Sequence, residues 1–129
     1  EHLHDPFAYA TEVKRLLKPG GICIIALPNC SSYDSEYYGK NWAGFDVPRH
    51  LWHFTPETVD LFASKTGFII SGKSRLPFDV FYISVLSEKQ KGSALPFLKG
   101  MTRGSWFALR ACFKPDKSSS LIFILRKSS

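Results

Sequence analysis

The chain has 129 residues, of which 44% are hydrophobic and 22% are charged, proportions that indicate a folded globular chain and exclude global disorder. This length suits a single domain with a hydrophobic core, residues 1–129. No apolar run in the sequence approaches the roughly 20 residues that a membrane-spanning helix needs. The formal net charge is +6, but the basic residues are spread over separate elements without a nucleic-acid-binding signature, so we expect no nucleic-acid partner. Three cysteines leave one thiol unpaired under any disulfide scheme, which favours a reducing, cytoplasmic location.

Caps, hydrophobic spacing and glycine stops predict a mixed α/β chain. Asp5 can cap a helix that begins at Pro6, and Thr55 can cap a second one. The apolar run over 22–27 has no alternation, which is typical of a strand covered on both faces. The predicted elements are a helix over 5–18, a strand over 22–27, a helix over 55–66, and strands over 68–76 and 121–127.

The second part of the chain carries the whole net charge. Residues 1–76 contain eight basic and eight acidic residues, and residues 77–129 contain nine and three. Within it, residues 77–117 are predicted as a basic, aromatic helical insert with helices over 79–90 and 94–113. Such an insert can contact an anionic membrane surface, or its aromatic residues can pack on the sheet while its lysines stay in water. Both interpretations stay open.

Several motifs carry a resemblance to a known family. The segments EHLHDP, EVKRLLKPGG, PRHLWHFTPETVDLFASKTGF and SSSLIFILRK resemble the half of the class I S-adenosylmethionine-dependent methyltransferases that follows their cofactor-binding half. The resemblance implies the C-terminal half of a Rossmann-like methyltransferase sheet, with three strands, the last one antiparallel and central, and flanking helices. The family's glycine-rich cofactor turn has no counterpart, because Gly20-Gly21 follow a predicted helix and precede a strand.

The resemblance implies the C-terminal fragment of a methyltransferase. Such a fragment would supply the acceptor side of the site and be inactive alone, since most of the S-adenosylmethionine site would lie elsewhere. The expected partner is a small-molecule or lipid-linked methyl acceptor. The exposed edge of strand 22–27 suggests self-association. The alternative is a non-catalytic interaction or anionic-lipid-binding module built on the same half of the fold.

The candidate site residues lie near the carboxyl end of strand 22–27, where ligands bind in open α/β sheets. A long polar loop is predicted over 30–52, and long loops are often functional. Methyl transfer often needs a base, and histidine titrates near neutrality. No metal is expected, because the cysteines lie away from the histidines. The resemblance and the chemistry together give catalytic His2, His50 and His53, substrate-binding Asn29, Tyr37, Tyr38, Trp42 and Arg49, and cofactor-binding Glu1, His2 and Leu3.

Overall fold

A computed structural model describes residues 1–127. It contains three strands, five α-helices and three short 3-10 turns. The strands are β1 (Ile22–Pro28), β2 (Phe68–Arg75) and β3 (Ser120–Lys127). The helices are α1 (Pro6–Leu16), α2 (Tyr33–Tyr38), α3 (Pro56–Thr66), α4 (Asp79–Gln90) and α5 (Pro96–Phe113). The 3-10 turns are Gly39–Asn41, Ala43–Phe45 and Pro115–Lys117.

The three strands form one sheet in the order β1-β3-β2, and β3 runs antiparallel to both neighbours. This confirms the predicted sheet, with its last strand central. Leu121 of β3 faces Leu27 of β1, and Leu125 faces Ile70 of β2. Because β1 and β2 both oppose β3, they run parallel to each other. Their carboxyl ends therefore lie at the same end of the sheet.

Helices α1 and α3 begin where their caps predict. The carboxylate of Asp5 accepts a hydrogen bond from the backbone N–H of Ala8 at 2.9 Å. The hydroxyl of Thr55 accepts one from the backbone N–H of Thr58 at 3.3 Å. Gly67 ends α3 in the left-handed conformation, with φ of 71°, which glycine adopts without strain. Each predicted helix boundary is therefore correct to within two residues.

One core lies between the sheet and helices α1 and α3. Leu121, Phe123 and Leu125 of β3 are at most 2% exposed, and Val59 and Ala63 of α3 pack with them. Each large apolar side chain buried in this way contributes about 1.5–3 kcal/mol to folding. Alternate residues of the strands point to this core and the others to the opposite face.

We expected β1 to be covered on both faces. Among residues 1–127, this expectation is wrong. Ile22 is 48% exposed and Ile24 is 61% exposed, whereas Leu27 on the core side is buried. The reason is that α1 and α3 pack on one face of β1 only, the face that carries Cys23, Ile25 and Leu27.

A second core joins the middle of the chain to the predicted insert. Helices α4 and α5 lie between β2 and β3, as predicted, and pack against each other. The predicted loop over 30–52 is instead partly helical, because Ser32 caps α2 and the aromatic side chains that follow are buried against the insert. This core consists of Tyr38, Trp42, Val80, Ile83 and Phe107. Over residues 1–127, no helix is long and apolar enough to span a membrane.

Candidate functional site

The N-terminal segment is tied to the segment before α3. The carbonyl oxygen of Glu1 accepts a hydrogen bond from the backbone N–H of Leu51 at 2.7 Å. The indole N–H of Trp52 donates to the carbonyl oxygen of Leu3 at 2.8 Å. Two parts of the chain about fifty residues apart, both predicted to carry site residues, therefore lie side by side.

A cavity of about 540 Å³ opens beside these segments. Pro28 and Leu76 line it, at the carboxyl ends of β1 and β2. Open α/β sheets bind ligands at this end of their strands. Its polar lining combines acidic, basic and neutral groups: Glu1, Asp46, Arg49, His50, Asp79 and Tyr82.

Two histidines meet at the edge of this cavity. The rings of His2 and His50 are 4.6 Å apart and nearly perpendicular, at 69°. Nδ1 of His50 lies 3.0 Å from the carbonyl oxygen of Gly44, and Nδ1 of His2 lies 3.2 Å from that of Arg49. A carbonyl oxygen only accepts, so each neutral ring carries its proton on Nδ1. Each ring therefore keeps a lone pair on Nε2.

Asp46 organises the cationic side of the cavity. Both Nε and Nη2 of Arg49 donate to Oδ1 of Asp46, at 3.2 and 2.9 Å. The other carboxylate oxygen, Oδ2, lies 3.8 Å from Nε2 of His50. Asp46 adopts a left-handed conformation with φ of 39°, which aspartate tolerates better than most residues. Sequence reasoning missed Asp46, although its spacing of three and four residues from Arg49 and His50 was a usable signal.

Comparison with known proteins identifies the family. The profile of a family described as a methyltransferase domain matches residues 1–70. The chain belongs to this methyltransferase family. The family match confirms the class I S-adenosylmethionine-dependent superfamily that the sequence resemblance implied, and the α/β fold agrees with it.

A curated relative supports the same family. The ubiquinone biosynthesis O-methyltransferase of Cereibacter sphaeroides is 36% identical over 73 residues. The match covers 52% of this methyltransferase chain and 30% of the relative. The chain therefore matches less than a third of the relative's length.

Solved structures share the fold at low sequence identity. Phosphoethanolamine N-methyltransferase 2 of Haemonchus contortus, in complex with phosphomonomethylethanolamine and S-adenosylhomocysteine, superposes with a TM-score of 0.51 at 18% identity. That match covers 99% of the methyltransferase chain and 31% of the solved one. A putative sarcosine dimethylglycine methyltransferase from Galdieria sulphuraria gives the same TM-score and identity, with coverage of 98% and 49%.

Two predicted site residues of the methyltransferase have partners within the chain. Nε2 of His53 lies 2.9 Å from the carbonyl oxygen of Phe45, and its ring packs against the Phe45 ring. Asn29 is 2% exposed, and its amide N–H groups donate to the carbonyl oxygens of Asp116 and Ser118 at 2.7 and 2.9 Å. Neither residue lines the 540 Å³ cavity.

Trp42 and Tyr38, both predicted to bind substrate, are buried. The indole N–H of Trp42 donates to Oδ2 of Asp34 at 2.7 Å, and the hydroxyl of Tyr38 donates to Glu88 at 3.2 Å. Burial, with the Glu88 carboxylate nearby, raises the pKa of the Tyr38 hydroxyl. These side chains connect α2 and the 3-10 turns to the insert.

Tyr37, the third aromatic residue predicted to bind substrate, lies on a different surface of the chain. It is 43% exposed, and the guanidinium of Arg103 stacks 4.6 Å from its ring centroid. With Trp106 and Arg110 it lines a separate depression between α2 and α5. The structure therefore brings together the predicted residues Glu1, His2, Leu3, Arg49 and His50, but not Asn29, Tyr37, Tyr38, Trp42 and His53.

Three possible metal ligands converge at the cavity edge. Glu1, His2 and His50 each offer one ligand atom within 4.8 Å of the other two. The sequence argument, which rested on the distant cysteines, did not anticipate this convergence. The expectation that no metal is bound stays a prediction.

Proposed function

We propose that this chain forms the acceptor side of a methyltransferase site, with Nε2 of His50 as the base that takes the proton of the methyl acceptor. The observation that carries the proposal is the hydrogen bond from Nδ1 of His50 to the carbonyl oxygen of Gly44 at 3.0 Å. This bond directs the lone pair of Nε2 away from the backbone while the ring lines the cavity. A base within reach of the reacting group contributes about 10²–10⁴-fold to a rate.

Arg49 is proposed to hold an acidic group of the acceptor. Its guanidinium is 78% exposed and uses only two of its N–H groups on Asp46. The remaining donors can form a fork with a carboxylate or phosphate. Because Asp46 fixes Arg49 beside His50, an acceptor held by Arg49 would place its reacting group near the base.

His2 is proposed to assist His50. Its ring stands edge-on to the His50 ring, and its tautomer is set by the carbonyl oxygen of Arg49. Its side chain is 61% exposed, against 11% for His50. His2 is therefore placed to pass the proton from the site to water, while the more enclosed His50 contacts the acceptor.

S-Adenosylmethionine supplies an electrophilic methyl group on a sulfonium, so the protein needs no covalent nucleophile of its own. The residues proposed to meet it are Glu1, His2 and Leu3. Glu1 fits in part, since it lines the cavity and a carboxylate can accept hydrogen bonds from an ammonium group. The carbonyl oxygens of Glu1 and Leu3 already accept hydrogen bonds from the segment that carries Leu51 and Trp52. We therefore propose that most cofactor contacts come from outside residues 1–129, and that these residues alone do not turn over.

The proposed acceptor carries a hydroxyl group. The curated relative is named as an O-methyltransferase of ubiquinone biosynthesis, and an oxygen acceptor must lose a proton as its new bond to carbon forms. That proton passes to Nε2 of His50, while the other proton stays on Nδ1, which donates to the carbonyl oxygen of Gly44. A small-molecule acceptor and a lipid-linked one are both compatible with an open cavity of this size.

Calorimetry with S-adenosylhomocysteine tests the methyltransferase proposal without any choice of acceptor. The natural protein that carries this chain should bind the ligand, and residues 1–129 alone should bind it at least tenfold more weakly. Failure of the natural protein to bind would overturn the proposal. Equal binding by residues 1–129 would show that they contain the main cofactor contacts.

Paired histidine variants test the role of His50. His50→Gln should lower kcat with a dihydroxybenzoate probe, which carries both a hydroxyl and a carboxylate, by about 10²–10⁴-fold while S-adenosylhomocysteine binding is kept. His53→Gln is the matched control, because His53 belongs to the same segment but bonds to Phe45 outside the cavity. It should leave kcat within about threefold of the natural value. Equal losses in the two variants would contradict a base at His50.

A non-catalytic interaction module is the second candidate, and one observation favours it. Among residues 1–127, β1 pairs with β3 alone, so its other edge offers backbone groups to a further strand. We propose that residues 1–129 in isolation self-associate through this edge.

A further inference from the structure

Helix α5 presents two unlike faces, and the inner one is fixed by close packing. Gly100, Gly104, Phe107 and Ala111 are buried and lie on one side of the helix, at spacings of three and four residues. A Cβ atom on Gly100 would stand 2.5 Å from the Cα atom of Val85 in α4. The two helices therefore approach as closely as their backbones allow, and the rotation of α5 about its axis is set.

The opposite side of α5 is apolar and exposed. At about 100° per residue, its large side chains spread over roughly half of the helix circumference. Their exposed fractions run from 37% to 85%. The α5 outer face consists of Phe97, Leu98, Met101, Trp106, Leu109 and Phe113.

A basic strip borders the α5 outer face. Lys99, Arg103 and Arg110 follow one another on the same side of the helix, and Lys114 continues the strip just beyond its end. The helix sequence contains no acidic residue. Arg103 and Arg110 are held in place by the rings of Tyr37 and Tyr33, at 4.6 and 3.8 Å from their centroids. Lys99 and Lys114 are exposed.

The acidic groups near the insert offset this strip only in part. Glu88 is 2% exposed and lies 3.0 Å from Nε of Arg103. Asp116 forms an ion pair with Lys73 at 2.7 Å, and Asp79 accepts a hydrogen bond from Ser120. These are the three acidic residues of 77–129, against nine basic ones. Arg103 is therefore paired with Glu88, and the outward positive charge of the strip is carried by Lys99, Arg110 and Lys114, which are exposed.

We propose that the α5 outer face lies flat in the headgroup region of an anionic lipid bilayer, with the basic strip on the lipid phosphates. An exposed apolar face with a basic border is the pattern of helices that lie in a membrane interface. Trp106 suits this position, because indole rings favour the boundary between headgroups and acyl chains. A protein partner would need only the apolar residues, whereas an anionic surface also uses the strip. The charge complementarity therefore favours lipid.

Co-sedimentation with vesicles tests the proposal on the natural protein that carries this chain. It should pellet with phosphatidylcholine vesicles that contain about 30% phosphatidylglycerol, and at least tenfold less with phosphatidylcholine alone. Raising the salt from about 0.1 M to 0.5 M should release it, because exposed charges are screened at high ionic strength. Equal pelleting with both vesicle types would overturn the proposal.

Matched variants distinguish vesicle binding by the α5 outer face from nonspecific adsorption through any exposed apolar residue. The triple variant Trp106→Ser, Leu109→Ser, Phe113→Ser should lose at least tenfold in vesicle partitioning, and circular dichroism should confirm that it is folded. The control is Tyr9→Ser, Leu16→Ser, Leu61→Ser, residues that are 54–66% exposed, against 53–85% for the tested ones, but lie on α1 and α3. The control should bind as the natural protein does. Equal losses in both variants would overturn the proposal.

Charge variants test the basic strip in the same assay. Lys99→Glu with Lys114→Glu should abolish the preference for phosphatidylglycerol, and Lys18→Glu with Lys65→Glu, exposed lysines outside the insert, should not. Sedimentation without lipid tests whether the α5 outer face binds a second copy of the chain instead. A dimer that the serine triple variant dissociates would show that the face binds a second copy, and would overturn the lipid proposal.

Discussion

The indole N–H of Trp42 donates a hydrogen bond of 2.7 Å to Oδ2 of Asp34, and both side chains are at most 1% exposed. The hydroxyl of Ser119 donates to the same oxygen at 2.6 Å. Asp34 therefore connects the residue between the first two 3-10 turns to the residue just before β3. A carboxylate in this position costs free energy unless it is fully hydrogen-bonded, so its ionisation should affect folding stability.

Asp34 should make folding stability depend on pH. Burial raises the pKa of its carboxyl above the ordinary value of 3.8, so the folded state binds a proton more tightly than the unfolded state. Its contribution is present below pH 3.8 and is lost as pH rises through the folded-state value. Asp34→Asn removes this titration. We expect the difference in free energy of unfolding, natural protein minus variant, to fall as pH rises from about 4. Urea unfolding across pH 4–7 measures it, and a constant difference would contradict the assignment.

The Glu88–Arg103 pair should contribute strongly to the packing of α4 on α5. Arg103→Ala leaves a carboxylate that is 2% exposed without its cationic partner. We expect a loss of about 2–3 kcal/mol in the free energy of unfolding, below the usual range for buried pairs because Arg103 is 39% exposed. Arg110→Ala, which removes a stacking contact on Tyr33, should cost about 1 kcal/mol or less. Equal losses in the two variants would show that the ion pair adds little.

The close contact at Gly100 gives a prediction of the opposite kind, in which adding an atom is harmful. Gly100→Ala would place a Cβ atom 2.5 Å from the Cα atom of Val85. Because this Cα atom belongs to the backbone, it cannot rotate away as a side chain could. Overpacking of about 1–3 kcal/mol should exceed the gain of about 1 kcal/mol in helix propensity. Thr102→Ala, exposed on the same helix, is the control and should change stability by about 0.5 kcal/mol or less. Thermal unfolding measures the stability of both variants. A stabilised Gly100→Ala would mean that α4 and α5 can move apart at a low cost in free energy.

The helices and the sheet could be predicted because their signals are local. Asp5 and Thr55 cap their helices within three residues, and the continuous apolar run of β3 is visible in its own sequence. The order of the strands came from the family resemblance. The exposure of Ile24 could not be predicted, because a strand at a sheet edge and one inside it can share an apolar sequence.

The site was harder to predict, because its contacts join residues far apart in sequence. His2 and His50 were both candidates, but nothing local indicated that their rings meet edge to face. Trp42 was expected in the acceptor pocket because it lies in a polar segment, and polar segments usually face water. Its burial follows from Asp34, a charged residue that sequence reasoning places on the surface.

The free edge of β1 should make residues 1–129 self-associate in isolation. Ile24 is 61% exposed on a strand whose described neighbour is β3 alone, so a second copy can add a strand there. Ile24→Lys should shift the sedimentation profile toward monomer, since a charge on an edge strand opposes pairing. Tyr9→Lys, equally exposed at 60% on α1, should leave the profile unchanged. A monomeric natural chain at high concentration would remove this edge as an interface.

The convergence of Glu1, His2 and His50 within 4.8 Å allows the base and metal interpretations to be separated. If Nε2 of His50 is a base, dialysis of the natural protein against a chelator should leave methyl transfer unchanged. Added Zn²⁺ should inhibit by competing for the same lone pairs, and calorimetry should show Zn²⁺ binding lost in His50→Gln and kept in His53→Gln. Activity that disappears on dialysis and returns with metal would instead make these residues ligands. The fixed Nδ1 protons would then serve to orient the two rings toward the ion, as they do in known metal sites.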